Sequence, residues 1–370
     1  MHGMVRRRLL ALLLALAMVS NMTRQSSVRA ASFVYVGNAE SNEIYVLQLN
    51  RQNGDLTVVE QVPLPSIARP GISTPMAVSP DRRFLYVGLR GQPQIVAGFA
   101  IDAVSGKLKY IASGPLADSM AYLATDRTGR FLLGASYPGH KLTVNPIGPQ
   151  GTVHPPQQVL PHYPHAHSIL VDAGNRYVLA LTLGDDLVNL FRFDATTGLL
   201  EPHTPPAVRV KAQTGPRHFV FHPNGALVYV LGELAGSISV FDYQAGTGQL
   251  TAKQTVTALP PNFQGTPSAA DLHITPDGRF LYGSERTSST ITGFKIDPAN
   301  GTLLPIGSVL TEKQPRGFNI DPSGRYLLAV GQLSHALSSY RIDADSGKLT
   351  KLKEHPMGNN PNWVEIVELP

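Results

Sequence analysis

The chain contains no cysteine. That excludes disulfides, a thiol nucleophile and thiolate metal sites, so stability must come from a packed core. A second long apolar run is also missing. The one apolar stretch, Leu9 to Val19, is too short to span a bilayer. It follows the basic triplet Arg6, Arg7 and Arg8 and precedes Val28-Arg29-Ala30, a small-residue cleavage site ahead of Ala31. Residues 1–30 therefore read as a secretory leader and residues 31–370 as the mature domain. The leader predicts a periplasmic or secreted protein; without a working leader the chain would stay in the cytoplasm. Nothing after it predicts membrane association.

An excess of one charge is the third absence. Of 31 Lys and Arg, five lie in residues 1–30, where there are no acids, leaving 26 bases against 26 acids. A nucleic-acid partner needs a basic excess on one face, and this balance argues against one. No G-x-S-x-G elbow supports serine catalysis. No Gly-rich loop opens a helix, so no nucleotide cofactor is expected.

What the sequence does have is a repeat. Ser79 to Gly88 (SPDRRFLYVG) returns as Asp126 to Gly134, Asp172 to Ala180, His222 to Gly232, Thr275 to Gly283 and Asp321 to Val330. A shortened copy lies at Ser32 to Gly37. The matched apolar positions are Phe33, Phe84, Phe131, Tyr177, Leu227, Phe280 and Tyr326, spaced about 49 residues apart on average. Each unit holds four short alternating segments, such as Arg217–Phe221, Leu227–Leu231, Ser237–Asp242 and the run from Leu250, separated by turn residues. Hairpins such as Asp102 to Gly106 and Asp343 to Gly347 recur before the fourth segment and suit turns that need φ > 0. Six full units and one partial unit predict an all-β seven-bladed propeller of four-stranded antiparallel blades. Trp363 to Val367 supplies the strand that pairs with Phe33 to Val36 and closes the ring from both termini.

This topology sorts the polar residues. With strands A to D running outward from the channel, the repeated A–B and C–D turns share one face, and the D–A and B–C loops share the other. A site should appear where the repeat is broken on that second face. The starts of strand A carry Pro75, Ser119, His167, Arg217, Asp271 and Arg316. The B–C loops carry Arg90, Tyr137, Asp185, Glu233, Arg286 and Gln332. Four arginines on one rim of a neutral domain predict an anion-binding mouth, because a guanidinium offers carboxylate or phosphate two parallel donors and keeps its charge.

The segments Ala166-His-Ser168, Gly215 to Asn224 (GPRHFVFHPN), Gly232-Glu-Leu234, Asp271 to Arg279 (DLHITPDGR), Glu285-Arg-Thr287 and Thr311 to Phe318 (TEKQPRGF) carry a resemblance. Over essentially the whole mature chain, the sequence resembles propeller-type bacterial 6-phosphogluconolactonases and, more distantly, fungal carboxymuconate-lactonizing enzymes. The resemblance implies a catalytic set of His167, Arg217, Glu233 and Arg286, with Arg316 as a further matching arginine. It also implies a small anionic lactone as substrate. A phosphosugar substrate belongs in the cytoplasm, and the leader points elsewhere.

Lactone hydrolysis needs an activated water, a stabilised oxyanion and a grip on the ring. His167 or Glu233 could be the base. Neighbouring arginines lower a glutamate's pKa and weaken it as a base, so His167 is preferred, with Glu233 orienting water or substrate. Arg217 and Arg286 would meet the oxyanion. Arg316 and Arg90 would hold the anionic group, and Tyr137 and Gln332 the hydroxyls. His162, His165 and His167 form H-x-x-H-x-H but have no carboxylate beside them. Alternation along its strand directs His218 away from Arg217, and His222 belongs to a turn on the far face. No metal is expected. The same groups would also serve a muconate-type cycloisomerase, or a non-catalytic exported propeller that binds an anionic ligand or a protein. The domain is expected to act as a monomer.

Overall fold

A computed structural model describes residues 30–66 and 71–370. The leader read at residues 1–30 lies outside the described residues, apart from Ala30. The described chain forms seven four-stranded antiparallel sheets. Blade 1 is assembled from both ends of the chain: Pro361–Leu369 is its inner strand, followed outward by Ala31–Asn38, Glu43–Leu49 and Leu56–Pro63. Blades 2 to 7 follow in chain order. Their inner strands are Met76–Val78, Tyr122–Thr125, Ala166–Val171, Pro216–Phe221, Ala269–Ile274 and Pro315–Ile320. Each inner strand touches the next, and Pro361–Leu369 touches both Pro315–Ile320 and Met76–Val78, so they form a closed ring around a shaft.

The repeat explains how neighbouring blades lock. In each hairpin before a fourth strand, a glycine lies flat against the first apolar residue of the preceding blade's second strand. Gly106 faces the Phe33 ring, with its carbonyl accepting a bond of 2.9 Å from the Tyr35 hydroxyl. Its φ of +66° favours glycine, and a Cβ there would overlap the ring. The same pairing joins Phe84 to Gly151, Phe131 to Gly198, Tyr177 to Gly248, Leu227 to Gly301 and Phe280 to Gly347. Tyr326 on Gly54 closes the circle. The seven apolar positions that set the period are thus the seven inter-blade joints.

The repeated charges serve this scaffold. Arg83, Arg130, Arg176, Arg279 and Arg325 each lie over the aromatic ring that follows them. In the A–B turns, Asp126, Asp172 and Asp321 each accept two backbone N–H bonds through Oδ1. Repeat-breaking residues are left to form the other face.

Candidate active site at the channel mouth

Five inner strands carry a β-bulge near their first residues. The ladder skips from Ala166 to Ser168, from Pro216 to His218, from Ala269 to Leu272, from Pro315 to Gly317 and from Pro361 to Trp363. In four blades the unpaired residue is His167, Arg217, Arg316 or Asn362; in blade 6 the skip spans Ala270 and Asp271. A bulge adds a residue to one strand and re-aims its side chain, a device common beside active sites. In blade 5 it brings Arg217 and His218, consecutive on one strand, into the same site, against Glu233 and His167 respectively.

Glu233, on a B–C loop, is clamped between two arginines. Its Oε2 lies 2.8 Å from Nε of Arg217, and its Oε1 lies 2.8 Å from an Nη of Arg286. Arg217 is buried and also donates to the Ala270 carbonyl. Arg286 donates from Nε to the Ser268 carbonyl at 3.0 Å. Burial acts to raise the Glu233 pKa, but Arg217 and Arg286 more than offset it and hold the carboxyl below its ordinary value. Burial pushes the Arg217 guanidinium down to about 10, with Glu233 opposing.

Among the described residues, the other two rim arginines have no acid within ion-pair distance. Arg90 donates to the hydroxyls of Ser119 at 3.1 Å and Ser73 at 3.0 Å; burial pushes it down to about 10. Among the described residues, Arg316 has neither a hydrogen-bond partner nor an acid within ion-pair distance. Burial, followed by repulsion from Arg217, Arg286 and Arg90, drives its pKa well below the usual arginine value. Of the four rim guanidinium groups, two are therefore paired to one carboxylate and two have no paired acid. Glu285, beside Arg286 in the chain, accepts bonds from Ser268 and Ser288 and does not meet Arg316.

His167 is 5% exposed, and its Nδ1 is buried without a protein partner. Burial, then the charges of Arg217, His218, Arg316 and Arg90, hold its pKa well below the ordinary histidine value, so it is neutral. Tyr137 packs its ring 5.8 Å from that of His167 and stacks on His165 at 4.3 Å. Gln332 is tied to Asn360 by a 2.8 Å bond. His162 and His165 adopt φ of +70° and +51° in the loop before His167. Among the described residues, no three of His, Asp and Glu stand close enough to share a metal.

One expectation from alternation fails. His218 faces the shaft: its ring centroid lies 5.2 Å from His167, 5.1 Å from Tyr122 and 6.1 Å from Trp363, which come from blades 4, 3 and 1. The bulge at Arg217 breaks the two-residue period that would have turned His218 outward. Its Nδ1 lies 2.8 Å from Oδ1 of Asp271, while its Nε2 is buried without a partner. Asp271 also accepts from Leu272 N at 3.0 Å, Phe318 N at 3.2 Å and His273 Nε2 at 3.3 Å. His218 and Asp271 thus form a pair that sequence reasoning did not assemble. The available signal was two successive functional residues, Arg217-His218, where a strand should alternate.

Tyr122 and Trp363, 5.4 Å apart, make a floor with His218. A cavity of about 270 Å³ continues along the shaft, lined by Thr125, Asp271, His273, Asn319 and Glu365 among others. Burial there raises the Glu365 carboxyl to about 7.

Comparison with known proteins decides the family. A family model described as "Lactonase, 7-bladed beta-propeller" matches residues 33–366. The chain belongs to this lactonase family. Within it, the chain is 42% identical over 334 residues to a 6-phosphogluconolactonase of Serratia proteamaculans, covering 90% of this chain and 98% of that one. A 6-phosphogluconolactonase of Yersinia pestis is 41% identical, covering 90% and 97%. The solved periplasmic gluconolactonase of Pseudomonas aeruginosa superposes with a TM-score of 0.84 at 28% identity, covering 92% of this family member and 100% of that chain. The lactonase fold and the arginine-lined mouth therefore occur in one chain.

Proposed function

We propose that the protein hydrolyses a sugar-derived lactone whose anionic group is drawn to the arginine mouth. The observation that carries this reading is a mouth with four arginines, of which only Arg217 and Arg286 are paired, to the single carboxylate of Glu233, while Arg90 and Arg316 have no acid within ion-pair distance among the described residues. Such a cluster holds cations that an anionic guest would satisfy. Arg316 and Arg90 face the phosphate or carboxylate. Arg217 and Arg286, fixed by Glu233, stabilise the oxyanion formed at the lactone carbonyl; one preorganised donor of this kind contributes about 3–4 kcal/mol. Tyr137 and Gln332 border the hydroxyl-bearing part of the ring.

The base is a neutral imidazole rather than Glu233, whose electrons are held by two guanidinium groups. His167 and the adjoining His218 both offer one, each buried, its pKa lowered by burial and Arg217, and neutral. Water gives up a proton, the resulting hydroxide attacks the carbonyl carbon, and the ring C–O bond breaks as the alkoxide takes a proton. The leader at residues 1–30, and the relative named as periplasmic, support action outside the cytoplasm.

The test is base uptake in a pH-stat with purified protein and a panel of phosphorylated and unphosphorylated sugar lactones, set beside a muconate-type lactone. Acid release from a sugar lactone, with the phosphorylated member showing the lower KM, is the expected result. Turnover of the muconate lactone alone, or ligand binding without turnover of any lactone, would overturn it. Fractionation of cells that express the full chain checks the export.

A further inference from the structure

The His218–Asp271 pair supplies something the proposed reaction needs and the arginine cluster does not: a lone pair with a fixed direction. Asp271 is ionised: burial acts to raise its pKa, but His273 and His218 together with their hydrogen bonds drive it far below the ordinary value. It accepts a hydrogen bond from His218 Nδ1 at 2.8 Å, so the ring proton sits on Nδ1 and Nε2 keeps its lone pair. That Nε2 is buried and has no protein partner. The ring is 5.2 Å from that of His167, whose Nδ1 is likewise buried and unpartnered. Buried polar atoms are almost always satisfied, and a water needs two or more polar partners. Two orphan ring nitrogens from adjacent blades, one of them fixed as an acceptor, make such a pair.

From this geometry we infer that His218, oriented by Asp271, is the general base that activates the hydrolytic water, and that His167 holds the same water from the adjacent blade. The inference rests on the lactone-hydrolysis reading and names the base within it. His218 Nε2 removes a proton from water as its oxygen bonds to the carbonyl carbon. The carbonyl π pair moves to oxygen and meets the guanidinium groups. On collapse, the bond from that carbon to the ring oxygen breaks, and the leaving alkoxide takes the proton back from His218. The new carboxylic acid then ionises and releases one proton to solvent. Asp271 does not change protonation; it fixes the tautomer and stabilises the transient imidazolium, as a buried carboxylate behind a catalytic histidine does.

The test compares the mature wild-type protein with His218→Ala and His218→Gln on a lactone that the wild type opens, at about pH 7. Both variants should lose about 10²–10⁴-fold in kcat, with KM little changed. Added imidazole should restore part of the rate to His218→Ala, a response that a purely structural role would not give. Either variant within about threefold of wild type, or a loss that imidazole leaves unchanged, would overturn the assignment. The two readings fail differently. A wild type that opens no lactone overturns hydrolysis and this base with it; an active wild type with unaffected His218 variants overturns only the base.

Discussion

Nε of Arg217 lies 2.8 Å from Oε2 of Glu233, and this contact fixes the direction of a cation buried in the shaft mouth. Arg286 occupies the other oxygen of the same carboxylate. Replacing Glu233 with Gln leaves two largely buried guanidinium groups without their counter-charge. Breaking one partner from such a pair costs about 3–5 kcal/mol when fully buried, and the partial exposure of Glu233 places this case at about 2–3 kcal/mol. The denaturant midpoint should fall accordingly. The pH dependence has a definite sign. Because the folded pKa of Glu233 is depressed, its stabilisation is present above the unfolded carboxyl value and fades as pH drops through the folded one. Wild type should therefore lose stability in that acid range more steeply than Glu233→Gln.

Arg316 predicts an opposite outcome for stability and function. It repels Arg217, Arg286 and Arg90 and has no acid of its own. Arg316→Met should leave the unfolding free energy unchanged or raise it by up to about 1 kcal/mol, with the denaturant midpoint moving the same way, since an unpaired cation is removed. A charged hydrogen bond to an anionic substrate is worth about 1.5–3 kcal/mol, so KM for an anionic lactone should rise about 10–100-fold. A neutral lactone should lose far less. Equal losses on both substrates would count against Arg316 as the anion holder.

The two shaft histidines set the pH profile. Burial, and then Arg217, push His218 down to about 4, with Asp271 opposing. Burial and the arginines likewise push His167 well below the ordinary value. His273 faces the same Asp271 and is raised, burial acting against it and Asp271 for it. Both shaft bases are thus neutral through the near-neutral range. The kcat/KM profile should be flat from about pH 6 to 8 and fall only on the acid side, near His218's value. An acid limb at about 6.5 would point to an unperturbed histidine instead.

Chelation should change nothing in the proposed chemistry, because imidazole, carboxylate and guanidinium perform every step. Dialysis of the purified protein against a chelator should leave lactone opening at its starting rate. Recovery of a lost rate by added zinc or calcium would contradict this.

At the inter-blade joints, Gly106→Ala places a methyl group against Phe33 at a φ of +66°. Strain at that φ and overpacking each cost about 1–3 kcal/mol. The thermal midpoint should drop, while kcat and KM of the folded fraction stay at wild-type values, because the joint lies on the face opposite the mouth.

The sequence by itself determined the ring. A period of about 49 residues, an aromatic or leucine opening each second strand and a glycine ending each outer hairpin are local signals, and each reappears as an inter-blade contact. It also determined which rim Arg90, Arg217, Arg286 and Arg316 share, since strand order assigns loops to faces. The tertiary structure decided how those side chains are used. A bulge adds one residue to an inner strand, and no periodicity in Arg217-His218-Phe219 reveals that both Arg217 and His218 turn inward. That Glu233 spans two arginines, that Arg316 stands apart from any acid and that Asp271 fixes the tautomer of His218 depend on distances between blades. The contacts between blades, Glu233 with Arg286 and His218 with Asp271, are set by ring closure and packing across 53 residues of chain, and local sequence pattern carries no record of them.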